Sequence, residues 1–278
     1  MNMLRLLNIE FHKLKNNRAS RVLSIIYFGL LASIALIAAI KFDIGPIKFH
    51  LAQEGIFNFP YIWHFNTFIA ALLKFFLLLV IVSMMANEYS YKTLKQNLID
   101  GLSKKEFILS KFYTTIAFSA ISTVFVLIVS LILGLIYSDF TEISIIFSGL
   151  EYLFGYFIKL VGFFSMGLFF GILIKRSAFA VAGVIVYFFV EFFSYWYFVD
   201  KFSQAFADSI YQFLPFKSMW NLIHEPFTRL NAVKSFAKQI GEQVATDYSV
   251  KLFDVSIVLI WTAIFIYLSY YLLKKRDL

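Results

Sequence analysis

Apolar residues form six long stretches along the chain, and polar residues gather between them. Each stretch holds about 20 residues, which is the length at which an α-helix crosses the hydrocarbon core of a bilayer. The pattern therefore predicts an all-α, polytopic membrane protein. Its six transmembrane helices are expected at residues 22–40, 66–86, 112–137, 151–174, 178–199 and 253–273.

Two shorter segments show apolar residues at helical spacing. In the first segment, residues 1–21, the apolar face consists of Leu4, Leu7, Phe11 and Leu14. This face predicts an interfacial helix that leads into the first span. The second lies between the second and third spans and predicts a short amphipathic helix. Its apolar face consists of Tyr91, Leu94, Leu98 and Leu102, and its polar face of Lys92, Thr93, Gln96 and Asp100.

The segment 200–252, between the last two spans, is too long for a plain loop. Within it, an amphipathic helix is predicted from Phe227, Leu230, Val233, Phe236 and Ile240. The stretch 211–223 is too apolar for water and too short to span a bilayer. We expect it to dip back toward the membrane as a re-entrant piece that carries Phe213, Pro215 and Trp220.

Lysine and arginine residues are divided unevenly between the two sides of the predicted bundle. Fifteen lie at the chain ends and in the loops after the second and fourth spans, and eight lie on the opposite side. The positive-inside rule therefore places both termini in the cytoplasm. The net charge of +8 fits this orientation better than it fits nucleic-acid binding. Residues 1–278 are expected to form one transmembrane domain without a separate soluble unit.

Composition excludes several classes of chemistry. Sixty per cent of the residues are hydrophobic and 15% are charged, whereas soluble domains contain about a quarter charged residues. The absence of cysteine excludes disulfides and thiol nucleophiles. No phosphate-binding loop, His-Glu-x-x-His or Gly-x-Ser-x-Gly motif occurs, so neither catalysis nor a cofactor is expected in this chain. The external residues His50 and His64 are interpreted as interfacial imidazoles, with a metal site as the weaker alternative.

Three formal charges fall well inside the predicted spans, namely Lys74, Lys159 and Glu191. Each lies eight residues from the external end of its span, which at about 1.5 Å per residue is a depth of roughly 12 Å. Because an unpaired charge at that depth is unfavourable, we expect Glu191 to pair with one of the lysines as a clamp between helices. The alternatives are an outward-reaching lysine side chain or a contact with substrate.

Residues 87–111 carry the most specific pattern. A Glu leaves the second span, a Thr follows five residues later, a leucine-rich turn leads to a small residue before Ser and Lys, and a Lys opens the third span. The matching positions are Glu88, Thr93, Leu94, Leu98, Gly101, Ser103, Lys104 and Lys111. This segment resembles that of permease subunits of type-2 ABC exporters. Lys92 stands where many members have Gly. The resemblance extends to Glu10, Lys13 and Leu14 before the first span, and to residues 274–277 at the exit.

The resemblance implies an elbow helix in residues 1–21 and a coupling helix in residues 87–111 that contacts an ATPase. The implied coupling residues are Glu88, Tyr91, Thr93, Leu94, Leu98, Gly101 and Leu102. It further implies two ABC ATPase subunits that hold ATP and Mg²⁺, a second permease chain that is identical or related, and a place in the cell membrane.

Other interpretations remain open beside the exporter. The short amphipathic helix of residues 87–111 could lie on the membrane surface instead of contacting an ATPase. The rival functions are an ion-coupled secondary transporter and an integral-membrane enzyme. The substrate could be a lipid, a peptide or a drug.

Overall fold

Long apolar helices dominate the computed structural model, which describes residues 3–37, 41–44, 47–50, 55–229 and 247–276. The helices are α1 Met3–Asn16, α2 Arg18–Ile37, α3 Tyr61–Ser90, α4 Thr93–Ile99, α5 Lys104–Tyr137, α6 Ile143–Ile146, α7 Glu151–Ile174, α8 Ser177–Lys201, α9 Gln204–Tyr211, α10 Pro215–Asn221 and α11 Leu252–Lys275. A 3₁₀ turn occupies Phe227–Arg229.

Five stretches in the described part of the chain are long and apolar enough to cross a membrane. They are α3, α5, α6 with α7, α8 and α11. They coincide with the second to sixth predicted spans, so the helical, multi-pass architecture is confirmed. The first predicted span, 22–40, overlaps α2 but ends at residues 38–40, outside the described residues. The total of six spans therefore stays a prediction.

A short β-hairpin follows α2 and was not part of the all-α prediction. Strand β1, Lys41–Ile44, pairs antiparallel with β2, Ile47–His50. Lys41 lies opposite His50 and Ile44 lies opposite Ile47. The apolar pattern gave no sign of this hairpin, because four-residue strands are too short to produce a clear alternation.

Helix α7 lies at the centre of the bundle and packs against α3, α5, α8 and α11. Small residues allow the close approach of two of these neighbours. A Cβ at Gly167 would overlap the side chain of Leu78 in α3, and one at Gly162 would come 2.7 Å from Val258 in α11. Glycine at these positions therefore lets the helix backbones approach more closely than a larger residue would.

The segment after α8 is built of short helices that return to the bundle. Helix α10 packs on α7 and α11, with Pro215 and Met219 buried. The indole N–H of Trp261 in α11 donates a hydrogen bond of 2.7 Å to the carbonyl of Phe213. Of the amphipathic helix predicted in this segment, only Phe227–Arg229 is described. The other residues of its apolar face, Leu230, Val233, Phe236 and Ile240, lie outside the described residues.

Candidate functional site

Four charged side chains from three helices meet at one end of the bundle. The ammonium of Lys111 in α5 lies 2.5 Å from Glu10 of α1 and 2.5 Å from Glu88 of α3. Lys13 of α1 donates a hydrogen bond of 2.8 Å to Glu88. Lys111 is fully enclosed, and both carboxylates are buried. These four residues are called the charge cluster below.

The charge cluster is balanced, since it contains two carboxylates and two ammonium groups. Helix α4 adds uncharged donors: Thr93 donates to Glu88 at 2.6 Å, and Asn97 donates to the same oxygen at 3.3 Å. Pairing with an opposite charge and hydrogen bonding offset much of the cost of burying an ion, and every charged group of the cluster has such a partner. The cluster therefore ties α4 to α1, α3 and α5.

The residues predicted for ATPase coupling divide between two faces of α4. Leu94 is buried, and Leu98 and Leu102 pack against the core of the bundle. Tyr91, which was predicted on the same face, is instead 69% exposed, as is Ile99. The reason is local, because α3 ends at Ser90 and no continuous helix joins Tyr91 to α4.

The interruption between α3 and α4 lies at Lys92, whose backbone has φ 55° and ψ 18°, in the left-handed region. Glycine occupies this region without a steric penalty, whereas an L side chain does not. Lys92 adopts the required conformation at some cost in backbone strain.

The other end of α4 is also set by its sequence. Gly101 has φ 93°, its N–H bonds the carbonyl of Leu98, and the N–H of Leu102 bonds the carbonyl of Asn97. This is the pattern of a Schellman C-cap. Two residues later Ser103 caps α5 and exchanges hydrogen bonds with Glu106 in a capping box. The orientation of α4 is therefore fixed at both ends.

Arg276, at the end of α11, forms a clamp that the sequence pattern did not indicate. Its guanidinium donates to the hydroxyl of Tyr89 at 3.0 Å and to the carbonyls of Ile172 and Leu173 at 2.5 and 3.1 Å. Lys104 donates to the carbonyl of Arg276 at 2.8 Å. The last turns of α3, α7 and α11 are thus joined to the start of α5.

The three intramembrane charges do not pair as expected. Among the described residues, no ion pair joins Glu191 to Lys74 or Lys159. Glu191 instead accepts hydrogen bonds from the backbone N–H groups of Phe216 and Lys217, at 3.1 and 2.7 Å. The first residues of α10 have N–H groups that lack partners within the helix, and the carboxylate satisfies them. The predicted ion pair is therefore not formed, and Glu191 instead links α8 to the segment 211–223.

Lys74 and Lys159 line a cleft of about 510 Å³ between α3, α7, α8 and α10, together with Lys217. Lys159 is only 2% exposed, and its ammonium lies 5.6 Å from the ring centroid of Trp220. Lys74 lies over Phe163 at 4.9 Å. Of the predicted re-entrant residues, Pro215 is buried, whereas Phe213 and Trp220 are partly exposed apolar side chains.

His64 belongs to a polar cluster at the opposite end of α3. Its Nε2 donates to the carbonyl of His224 at 2.9 Å, and its Nδ1 accepts from Arg229 at 3.2 Å. The ring stacks on Tyr152 with centroids 4.3 Å apart. Both nitrogens are therefore engaged, and His64 is not an open metal ligand. The side chain of His50 lies outside the described residues.

His224 extends this cluster into the segment after α10. Burial lowers the pKa of its imidazole, because the charged form loses contact with water.

Apolar helices long enough to cross a membrane, joined by short connecting helices, define a multi-pass membrane protein. The chain belongs to the ABC-2 family of transporter proteins, whose model matches residues 5–278. It is therefore an ABC transporter permease. No curated protein matches the chain.

Proposed function

We propose that the chain is the non-catalytic membrane subunit of an ATP-driven exporter, and that a separate ABC ATPase supplies the energy. The observation that carries this proposal is the position of α4. It presents Ile99 outward, next to the exposed Tyr91 that precedes it, while Thr93 and Asn97 hold it to the buried Glu88. Two exposed apolar side chains beside charged residues are suited to a groove on a partner protein.

Movement of α4 would reach the spans through the charge cluster. Glu88 bonds α4 through Thr93, α1 through Lys13 and α5 through Lys111. A displacement of α4 that breaks the Thr93 bond removes a hydrogen-bond donor from the buried carboxylate of Glu88, which is unfavourable. The helices are therefore expected to move with α4 as a unit. Nucleotide-driven closure of the ATPase would shift the equilibrium between two arrangements of the bundle.

The full assembly is proposed to contain two permease chains, identical or related, and two ATPases that hold ATP and Mg²⁺. Family membership supports the association with an ABC ATPase. The broad apolar surface of α8, with Phe179, Val186 and Phe193 exposed, offers an area that lipid or a second permease could cover. Residues 1–278 would form one permease domain with six spans, an elbow helix at α1 and a coupling helix at α4.

The proposed location is the cell membrane, with both termini in the cytoplasm. The distribution of lysine and arginine supports this orientation. Glu191 bonds two backbone N–H groups and is not open to an ion, which favours the ATP-driven exporter over an ion-coupled transporter.

Co-expression with candidate ABC ATPases from the same organism tests the proposal. We expect Ile99→Asp to abolish co-purification of the ATPase, because a desolvated carboxylate would face the partner groove. Ile143→Asp is the matched control, since Ile143 is also an exposed isoleucine but lies outside α4. Retention of the ATPase by the Ile99→Asp permease, with transport-coupled hydrolysis intact, would show that α4 is not the contact.

A further inference from the structure

The cleft beside α10 combines an apolar lining with positive charge. Lys74, Lys159 and Lys217 are its charged lining residues, and no Asp or Glu lines it. Its other lining side chains are aliphatic or aromatic, and Phe163, Phe188 and Trp220 are among them. Ligand sites in proteins have this form, with an apolar wall, a few convergent polar groups and a volume of about 300–1,000 Å³.

Each of the three ammonium groups lies over an aromatic ring instead of beside a carboxylate. Lys74 lies 4.9 Å from Phe163, Lys159 lies 5.6 Å from Trp220 and Lys217 lies 5.7 Å from Tyr211. In the part of the chain that the structure describes, none of these ammonium groups has an ion pair or a hydrogen bond. A cation–π contact compensates only part of the hydration that a lysine loses on burial.

Glu191 does not neutralise these lysines. Its two carboxylate oxygens accept the backbone N–H groups of Phe216 and Lys217. The cleft and the carboxylate beside it therefore keep an excess of positive charge within the bundle. Lys159 cannot reach outward, because it is almost fully buried. An anion bound in the cleft would balance the positive charge of these lysines.

The cleft opens at the surface of the helix bundle, where its lining residues Leu72, Phe188 and Phe192 are exposed. These side chains belong to α3 and α8, both of which are long enough to cross the membrane. A molecule dissolved in the bilayer would therefore meet the apolar rim first and the ammonium groups farther in.

We propose that this cleft binds an anionic amphiphile, whose acidic head lies among Lys74, Lys159 and Lys217 and whose apolar body lies along Phe163, Phe188 and Phe192. The acidic head is a carboxylate or a phosphate, and it is carried by a single-chain amphiphile or by a membrane lipid. The proposal deepens the proposed function, on which it rests for the interpretation of the ligand as transported cargo. The binding site itself needs only this chain.

Binding of radiolabelled oleate to the purified chain in phosphatidylcholine nanodiscs tests the site directly. We expect saturable binding of oleate, and we expect oleyl alcohol, which has the same chain without the charge, to compete weakly. Lys159→Met should weaken oleate binding about tenfold or more, because it removes a charge-assisted contact and keeps an unbranched side chain. The matched control is Lys201→Met, since Lys201 is exposed at the end of α8.

A thermal melt of the same samples separates loss of binding from loss of the fold. Lys159→Met should not lower the melting temperature, because the lysine has no carboxylate partner to lose. Lys74→Met and Lys217→Met repeat the test at half-buried positions. Equal competition by oleate and oleyl alcohol, or unchanged oleate binding in all three variants, would overturn the proposal.

Further competitors identify the source of the acidic head. Competition by dioleoyl phosphatidic acid but not by dioleoyl phosphatidylcholine would extend the site to membrane lipids, whereas failure of phosphatidic acid would restrict it to single-chain amphiphiles. Displacement by acetate at equal concentration would indicate a free-anion site and contradict the proposal. No ATPase is present in this assay, so a failure of ATPase association in the earlier experiment leaves its result intact.

Discussion

Lys111 places its ammonium 2.5 Å from Oε1 of Glu88, which fastens the start of α5 to the last turn of α3. Both side chains are buried. Lys111→Met would leave Glu88 and Glu10 facing each other with only Lys13 between them. Loss of one partner from a buried ion pair costs about 3–5 kcal/mol. We expect a clear fall in the melting temperature of the purified permease, measured by thermal unfolding in detergent.

Lys105→Met provides the control for the Lys111 substitution, because Lys105 lies on α5 but is exposed. It should leave the melting temperature close to that of the unaltered chain. Adding Glu88→Gln to Lys111→Met should recover part of the loss, since one of the stranded charges disappears. If Lys111→Met and Lys105→Met melt together, the cluster does not stabilise the bundle.

Lys92 offers a gain in stability. Its left-handed backbone, with φ 55°, is unfavourable for any residue with a Cβ but not for glycine. We expect Lys92→Gly to stabilise the chain by up to about 1 kcal/mol, because the relief of strain exceeds the extra chain entropy of glycine. Thermal or denaturant unfolding of the purified chain measures the change.

The neighbouring Lys95→Gly is the matched control for Lys92→Gly. Lys95 is exposed within α4, where glycine should destabilise by about 1 kcal/mol. Opposite signs for the two substitutions are the expected result. Two destabilising substitutions would mean that residue 92 is not left-handed in the folded protein.

The permease purified without a partner should neither bind nor hydrolyse ATP. It carries no loop of the type that holds nucleotide phosphates through backbone N–H groups and a lysine. Titration calorimetry with Mg²⁺ and ATP should give no binding heat, and phosphate release should equal that of a buffer blank. Tight binding by the isolated chain would contradict the assignment of ATP to a separate subunit.

Single cysteines can test whether residues 211–223 lie in the membrane, because the natural chain has no cysteine. Phe213 and Trp220 are partly exposed at the protein surface. If that surface faces lipid, Phe213→Cys and Trp220→Cys should react slowly with a bulky, membrane-impermeant thiol reagent. The control is Asp200→Cys, whose position is open at the end of α8 and should react fast. Equal rates at all three positions would indicate an ordinary aqueous loop.

Patterns of apolar residues predicted the elements of this protein better than the partners of its charged residues. The second to sixth spans were predictable because a helix that crosses the bilayer core needs about 20 predominantly apolar residues. Leu94, Leu98 and Leu102 do share one face, as their spacing indicated, but that face packs against the bundle and not against an ATPase or the membrane surface. Tyr91 does not, because a single left-handed residue interrupts the helical period that the prediction assumed.

The choice of partner for Glu191 shows a different limit of sequence patterns. Depth along a helix placed Glu191 and Lys159 at the same level in the membrane. Depth does not specify how each helix is rotated about its axis, or where a later segment of the chain runs. The N–H groups of Phe216 and Lys217 lie 25 and 26 residues away along the chain, and no local pattern marks them as donors. Arg276 is a similar case, since two of its three acceptors are backbone carbonyls at the end of α7.

The position of α11 has a consequence for biosynthesis. It is the last of the described helices to leave the ribosome, yet it packs along α7 and buries Val258 against Gly162. Before α11 is inserted, one side of α7 must be covered by lipid or by an insertion factor. The carbonyls of Ile172 and Leu173 also lack their hydrogen bonds from the guanidinium of Arg276 until then. The bundle can therefore close only after translation has passed α11, and a nascent chain stalled before that point would present an open seam to membrane proteases.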